Sequence, residues 1–355
     1  MALDIPDWLH HMPKTDLHCH LGGSIRPQTI LELASQNGIK LPADNIDGLR
    51  QHIVYKNRPR KSLADYLDAI KICESVLTTP DAFYRAAYEL CQDAAAENVE
   101  ILEVRFGPTN YERPGLPLYT IMESVLAGLE AGSRDYPLHT GLIVCGIRTD
   151  IQKTAEAAEL AVNYQGSGVV GFDIAGKENG YRPHLFEKAV KPVLHNFLPI
   201  TVHAGEEDSV ASIAEALIYL NARRIGHGVS LRESPKALEY MDNARIAIES
   251  CITSNIDTGS VQTLSTHPIR TYYQDGLRVC INTDNRTISD TTVTKEYMLL
   301  IEHLGFQQKD IYTLAKHGIK AAFMESKRQR SLLNTFDTWA RATLEPEQLE
   351  RDNRL

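Results

Sequence analysis

Leu198-Pro-Ile-Thr-Val-His-Ala-Gly-Glu-Glu207 opens as an apolar, β-branched run and closes on His203, Gly205 and Glu206. The first half reads as a buried strand. The second half offers the commonest metal ligand, a glycine that lets backbone approach a ligand, and a carboxyl group able to carry a proton. One strand of this kind proves little, so the reading turns on whether others in the chain end the same way.

Seven further segments have a strand's build: Lys14 to Leu21, Val99 to Phe106, His139 to Arg148, Val169 to Gly176, Arg224 to Val229, Arg245 to Cys251 and Leu277 to Asp284. Apolar residues at helical spacing predict helices over Arg26 to Gln36, Ser62 to Leu77, Asp81 to Glu97 and Leu118 to Arg134. More follow at Ile151 to Tyr164, His184 to Asn196, Val210 to Leu220 and Pro235 to Met241. Leu41 to Lys61 reads as irregular and polar.

Eight alternating units imply a parallel α/β sheet, and eight is the number at which such a sheet closes. The expected fold is a (β/α)8 TIM-type barrel with additional helices, Gln308 to Glu325 and Gln329 to Ala342 packing outside it. An open doubly wound sheet is the alternative, but a dinucleotide-binding one would carry G-x-G-x-x-G after its first strand, and none occurs there. No repeat or linker marks a second domain, so residues 1–355 are expected to form one, with a frayed tail over 343–355.

Composition bounds the function. The chain has 355 residues, 43% hydrophobic and 23% charged, which is ordinary for a globular protein. A net charge of -9 without a long Lys/Arg run argues against a nucleic-acid partner; the densest basic cluster, Asn57 to Lys61, is loop-sized. Six cysteines form no C-x-x-C pair and suit a reducing compartment. The first ten residues lack a signal core, and no segment has the ~18 apolar residues of a membrane span. The expectation is a cytoplasmic protein.

In such a barrel the C-terminal strand ends share one face. The proposed strands deliver His18 and His20, His203 and Glu206, His227, and Asp284 with Asn285 to that face. His18 and His20 are two apart, so both point to one side and can grip one ion. Singly, each residue has a bland explanation: a structural histidine, a solvated carboxylate, a helix cap. Four histidines and an aspartate at one end of a closed sheet are harder to explain by packing, because buried polar groups need partners. Nitrogen and carboxylate ligands without thiolates favour Zn²⁺, with Fe²⁺, Co²⁺ and Mn²⁺ open on ligand type alone. Three histidines and Asp284 on a metal leave Glu206 and one more histidine beside an activated water, the equipment for hydrolytic attack on a planar carbon.

Lys14-Thr-Asp-Leu-His-Cys-His-Leu21, Thr201-Val-His-Ala-Gly-Glu206, Arg224-Ile-Gly-His-Gly-Val229, Ser250-Cys-Ile-Thr-Ser-Asn255 and Ile281-Asn-Thr-Asp-Asn285 resemble, in order, the motifs of the adenosine deaminase family. The resemblance implies a barrel with one Zn²⁺ per chain that adds water at C6 of adenosine and releases ammonia, giving inosine. It implies that His18, His20, His203 and Asp284 hold the zinc, that Glu206 protonates purine N1, and that His227 steers the hydroxide. It further assigns Gly176 a backbone N–H to purine N3, and Ser254 the support of Asp284. The small-molecule partner would be an adenine nucleoside, and the Tyr66 to Ile70 face would cover the pocket.

Two positions depart from the family pattern. Asn285 stands where many members have an aspartate meeting purine N7; an amide can still donate there. Gly22 stands where adenosine deaminases usually have an aspartate that receives the ribose 5'-hydroxyl. Glycine cannot accept that bond and leaves space. The expectation is therefore a preference for 5'-modified adenosines: 5'-deoxy- or 5'-methylthioadenosine, or 6-amino-6-deoxyfutalosine. Free adenine is disfavoured by Gly226, where relatives that use it commonly have aspartate; AMP is disfavoured because no cationic cluster accompanies Gly22. The rival readings are a two-metal amidohydrolase, which would need its bridging lysine one step before Lys177, and a non-catalytic barrel, which has no reason to retain Glu206 and His227. A cytidine-deaminase type of zinc site lacks its P-C-x-x-C element here.

Overall fold

A computed structural model of the chain describes residues 5–57 and 63–343. Its strands are β1 (Lys14–His20), β2 (Val99–Phe106), β3 (His139–Ile147), β4 (Val169–Ala175), β5 (Thr201–Ala204), β6 (Arg224–His227), β7 (Ala247–Ser250) and β8 (Val279–Ile281). Successive strands within each group of four pair in parallel. Bridges at Phe172 with Ile200 and at Cys19 with Asp284 join the two groups on both sides, closing the ring. At the second seam Asp284 N–H donates to the His18 carbonyl at 2.8 Å and His20 N–H to the Asp284 carbonyl at 2.7 Å. The histidine-bearing end of β1 and Asp284 are thus tied together by backbone.

Helices cover the outside, which is why most strands are apolar on both faces. The barrel interior nevertheless holds charge. Arg105 on β2 pairs with Asp173 on β4 at 3.0 Å and with Glu249 on β7. Arg224 on β6 meets Glu249 at 2.6 Å and Glu103 at 2.5 Å. Burying charge is costly unless it is paired, and each of these fully buried groups has a partner on another strand. The network braces the barrel beneath the histidines.

Several segments differ from the sequence reading, short helices at Asp7–His11 and Ile252–Asp257 among them. Within Leu41 to Lys61, a helix spans Ile46–Ile53, capped by Asn45, whose side chain accepts from Gly48 N–H at 2.9 Å, and anchored by buried Leu49 and Ile53. The helix expected over His184 to Asn196 shrinks to Lys191–His195 behind a 3₁₀ turn at Pro183–Phe186, because the prolines lack the N–H a longer helix needs. A helix over Val293–Leu304, not foreseen, is capped by Thr292, which accepts from Lys295 N–H at 3.2 Å. Residues 58–61 of the basic cluster and the tail after 343 lie outside the described residues. Among the described residues no helix is long and apolar enough to cross a membrane.

Candidate active site

The barrel brings His18, His20, His203 and Asp284 together, with one ligand atom of each within 4.8 Å of the others. His18 Nε2 lies 3.0 Å and His20 Nε2 3.1 Å from His203 Nε2, while Asp284 Oδ1 is 3.7 Å from His18 Nε2 and 3.4 Å from His20 Nε2. Tetrahedral zinc with nitrogen and oxygen ligands would set its ligands roughly 3.4 Å apart. The far ring nitrogens explain the orientation. His18 Nδ1 meets Glu249 Oε2 at 2.9 Å and His203 Nδ1 meets Asp173 at 3.0 Å, so both carry their proton on Nδ1 and aim an Nε2 lone pair inward. Burial first, then nearby Arg105, holds His18 well below the ordinary imidazole range; burial first, then His203, does the same for His20. Lone pairs facing one another satisfy nothing, and a cation between them would satisfy all; the donor set fits a single nitrogen- and oxygen-loving metal.

Ser254 Oγ donates to Asp284 Oδ2 at 2.6 Å. Asn285 donates to Asp284 Oδ1 at 2.8 Å through one of its two amide N–H groups. Asp284 and His227 both adopt φ near +60°, at 62° and 64°, a region side chains seldom occupy and one that tends to mark functional positions.

Glu206 and His227 face each other across the cluster, Oε2 to Nε2, at 3.5 Å. Burial pushes the Glu206 carboxyl up to about 7, with His203 opposing and Glu178 adding to the shift. Burial pushes His227 down to about 4, so its ring is neutral near pH 7. Its tautomer is fixed by a chain that starts at the backbone. Ile269 N–H donates to His267 Nδ1 at 3.2 Å, so His267 carries its proton on Nε2 and meets Asn255 Oδ1 at 3.2 Å. The Asn255 amide then donates to His227 Nδ1 at 3.0 Å, leaving His227 with an Nε2–H aimed into the site.

Some functional residues escape sequence reasoning. The buried carboxylate of Glu178 accepts four backbone N–H groups, from Gly205 at 2.6 Å, Glu206 at 2.9 Å, Glu207 at 2.8 Å and Asp208 at 3.1 Å. It clamps the loop that carries Glu206, which needs Gly205 at φ 70°. Its only sequence signal is a carboxylate shortly after β4. Glu249 and Asp173 were findable as charges inside apolar strands. Gly176, at φ 92° after β4, has the backbone freedom its turn requires, and Lys177 beside it is exposed.

The expected space beside Gly22 is absent. A Cβ placed there would lie 2.5 Å from Glu74 Oε1 and 2.6 Å from Glu74 Cγ. The carboxyl group of the helix Leu63–Glu74 already fills it.

A closed parallel barrel with a three-histidine, one-aspartate cluster that could hold a metal ion, beside an acid of raised pKa and a neutral imidazole, has the equipment of a hydrolase. The adenosine deaminase family profile matches residues 13–339. An adenosine deaminase of Enterococcus faecalis is 39% identical over 92% of this chain and 96% of its own. Among solved structures, an adenine deaminase from Arthrobacter aurescens superposes with a TM-score of 0.87 at 27% identity, covering 93% of this chain and 99% of that one. An amidohydrolase from Burkholderia ambifaria with bound zinc does so at 0.86 and 25%, covering 96% of each. The chain belongs to the adenosine deaminase family and is a hydrolytic deaminase.

Proposed function

We propose that the protein deaminates adenosine to inosine with one zinc ion held by His18, His20, His203 and Asp284. The observation that carries the reading is the convergence of three Nε2 atoms and one carboxylate oxygen, two of the rings fixed from behind by carboxylates. The ion, when bound, supplies an acidified water near neutral pH.

The chain's own residues do the rest. Glu206, kept protonated by burial, donates to purine N1 as oxygen adds at C6, which drains electron density from the ring. His227 offers Nε2–H to the attacking oxygen and orients it. As the added oxygen becomes the C6 carbonyl it gives up both of its protons: one leaves with ammonia when the C6–NH₂ bond breaks, the other returns to Glu206, and the N1–H stays on inosine. Gly176 N–H and the second Asn285 amide N–H serve purine N3 and N7. One domain carries these groups, and the six buried, free cysteines suit the cytoplasm.

Glu74 in the space beside Gly22 favours adenosine itself over its 5'-deoxy, 5'-methylthio and futalosine-type analogues. Free adenine is disfavoured because position 226 is glycine and offers no carboxylate beside His227. The test is conversion of adenosine by metal-stripped and zinc-restored protein. Activity should return with zinc; a zinc-loaded protein that leaves every adenine nucleoside intact overturns the reading and favours amide hydrolysis.

A further inference from the structure

Glu74 stands at the mouth of the barrel against position 22. It ends the helix Leu63–Glu74 and is half-buried. Its Oε1 accepts the Tyr111 hydroxyl at 2.6 Å. Burial, with Glu74 adjacent, keeps that phenol protonated, so Tyr111 is the donor. Its Oε2 has no hydrogen-bond partner among the described residues. The carboxyl group lies 2.5–2.9 Å from where a Cβ on Gly22 would be, two residues beyond His20. Gly23 next to it lies against Asn285, which holds Asp284, so Glu74 borders the wall of the metal cluster.

Topology says which end of a substrate reaches it. Glu206 follows β5, whereas Gly22 follows β1 and Tyr111 follows β2. In an eight-stranded ring β5 stands opposite β1. A purine with N1 at Glu206 and C6 at the cluster turns N9, on the other side of its ring system, towards β1 and β2. N9 carries the ribose.

We propose that Glu74 is a specificity-determining residue whose carboxylate accepts the 5'-hydroxyl of the nucleoside, a role taken over by the helix Leu63–Glu74 because position 22 has no side chain. The proposal rests on the deaminase reading above. A half-buried carboxylate with one oxygen not taken by Tyr111 selects a neutral donor: a 5'-thioether lacks the proton, and a 5'-phosphate brings negative charge against negative charge.

The experiment compares kcat/KM for adenosine with those for 2'-, 3'- and 5'-deoxyadenosine and for AMP, on the zinc-loaded full chain. The wild-type protein should prefer adenosine over 5'-deoxyadenosine by about 10- to 100-fold, the range set by a hydrogen bond to a charged group, and should barely use AMP. Glu74→Ala should collapse that preference towards unity, through adenosine. Gly22→Asp added to Glu74→Ala should restore it, because the carboxylate returns from the other side of the same space. Glu74→Gln, nearly isosteric, covers the case in which the alanine variant fails to fold, and should retain part of the preference.

A preference unchanged in both single variants, with all substrates falling together, makes Glu74 a purely structural residue and overturns the proposal. So does a loss confined to the 2'- or 3'-deoxy comparison. Wild-type protein inert towards all of these nucleosides instead removes the deaminase reading, and the proposal falls with it.

Discussion

Glu206 sits in a setting that keeps its carboxyl protonated where most carboxyls are charged. Burial raises it to about 7, so the proton-donating form is populated below that pH and drains away above it. Activity that needs an acid at N1 should therefore fall as pH rises through about 7. A kcat/KM profile flat from mildly acidic to mildly alkaline pH would refute this. Glu206→Gln should lower kcat by about 10²- to 10⁴-fold, the range for general acid catalysis, with zinc content per chain unchanged. At this scale much was legible in the sequence. His18, His20, His203 and Asp284 stand out because polar groups rarely end apolar strands without a purpose. Glu178 and Glu74 were not legible, because their meaning lies in what they touch: four N–H groups across a loop for one, and the space left by a distant glycine for the other.

At the scale of elements, short connections do the positioning. The helix Ile252–Asp257 supplies Asn255, and the loop after it supplies His267; together they set the tautomer of His227. Asn255→Asp reverses that chain, because a carboxylate accepts from Nδ1–H and leaves Nε2 without its proton. The expected result is a kcat loss on the order of 10²-fold with little change in melting temperature; an unchanged kcat would show that the tautomer is irrelevant. The Glu178 clamp works on the loop after β5. Glu178→Ala leaves four N–H groups without their acceptor, and a cost of about 3 kcal/mol in urea unfolding is expected. The strands were legible from their regular alternation with helices, although β5 to β8 span only three or four residues each. Ile46–Ile53 was not, since eight residues with two buried anchors give too little periodicity to read.

At the scale of the molecule, ring closure makes the site. His20 and Asp284 are 264 positions apart in the chain yet share a backbone hydrogen bond of 2.7 Å at the β1–β8 seam. A metal bound across β1, β5 and the end of β8 links three parts of that ring, so it stabilises the folded state alone. At a thousandfold excess over Kd this is worth about 4 kcal/mol, and chelation should lower Tm on the order of 5–10 °C. The eightfold alternation made the barrel readable from sequence. The ion lattice of Arg105, Asp173, Arg224 and Glu249 was not, because only closure brings those strands face to face.

The most direct test of the central claim is a zinc titration of metal-stripped protein, following the rate of adenosine deamination against zinc added per chain. A linear rise that breaks at one zinc per chain is predicted. Full activity without metal, or a break at two, would contradict a single catalytic ion held by His18, His20, His203 and Asp284.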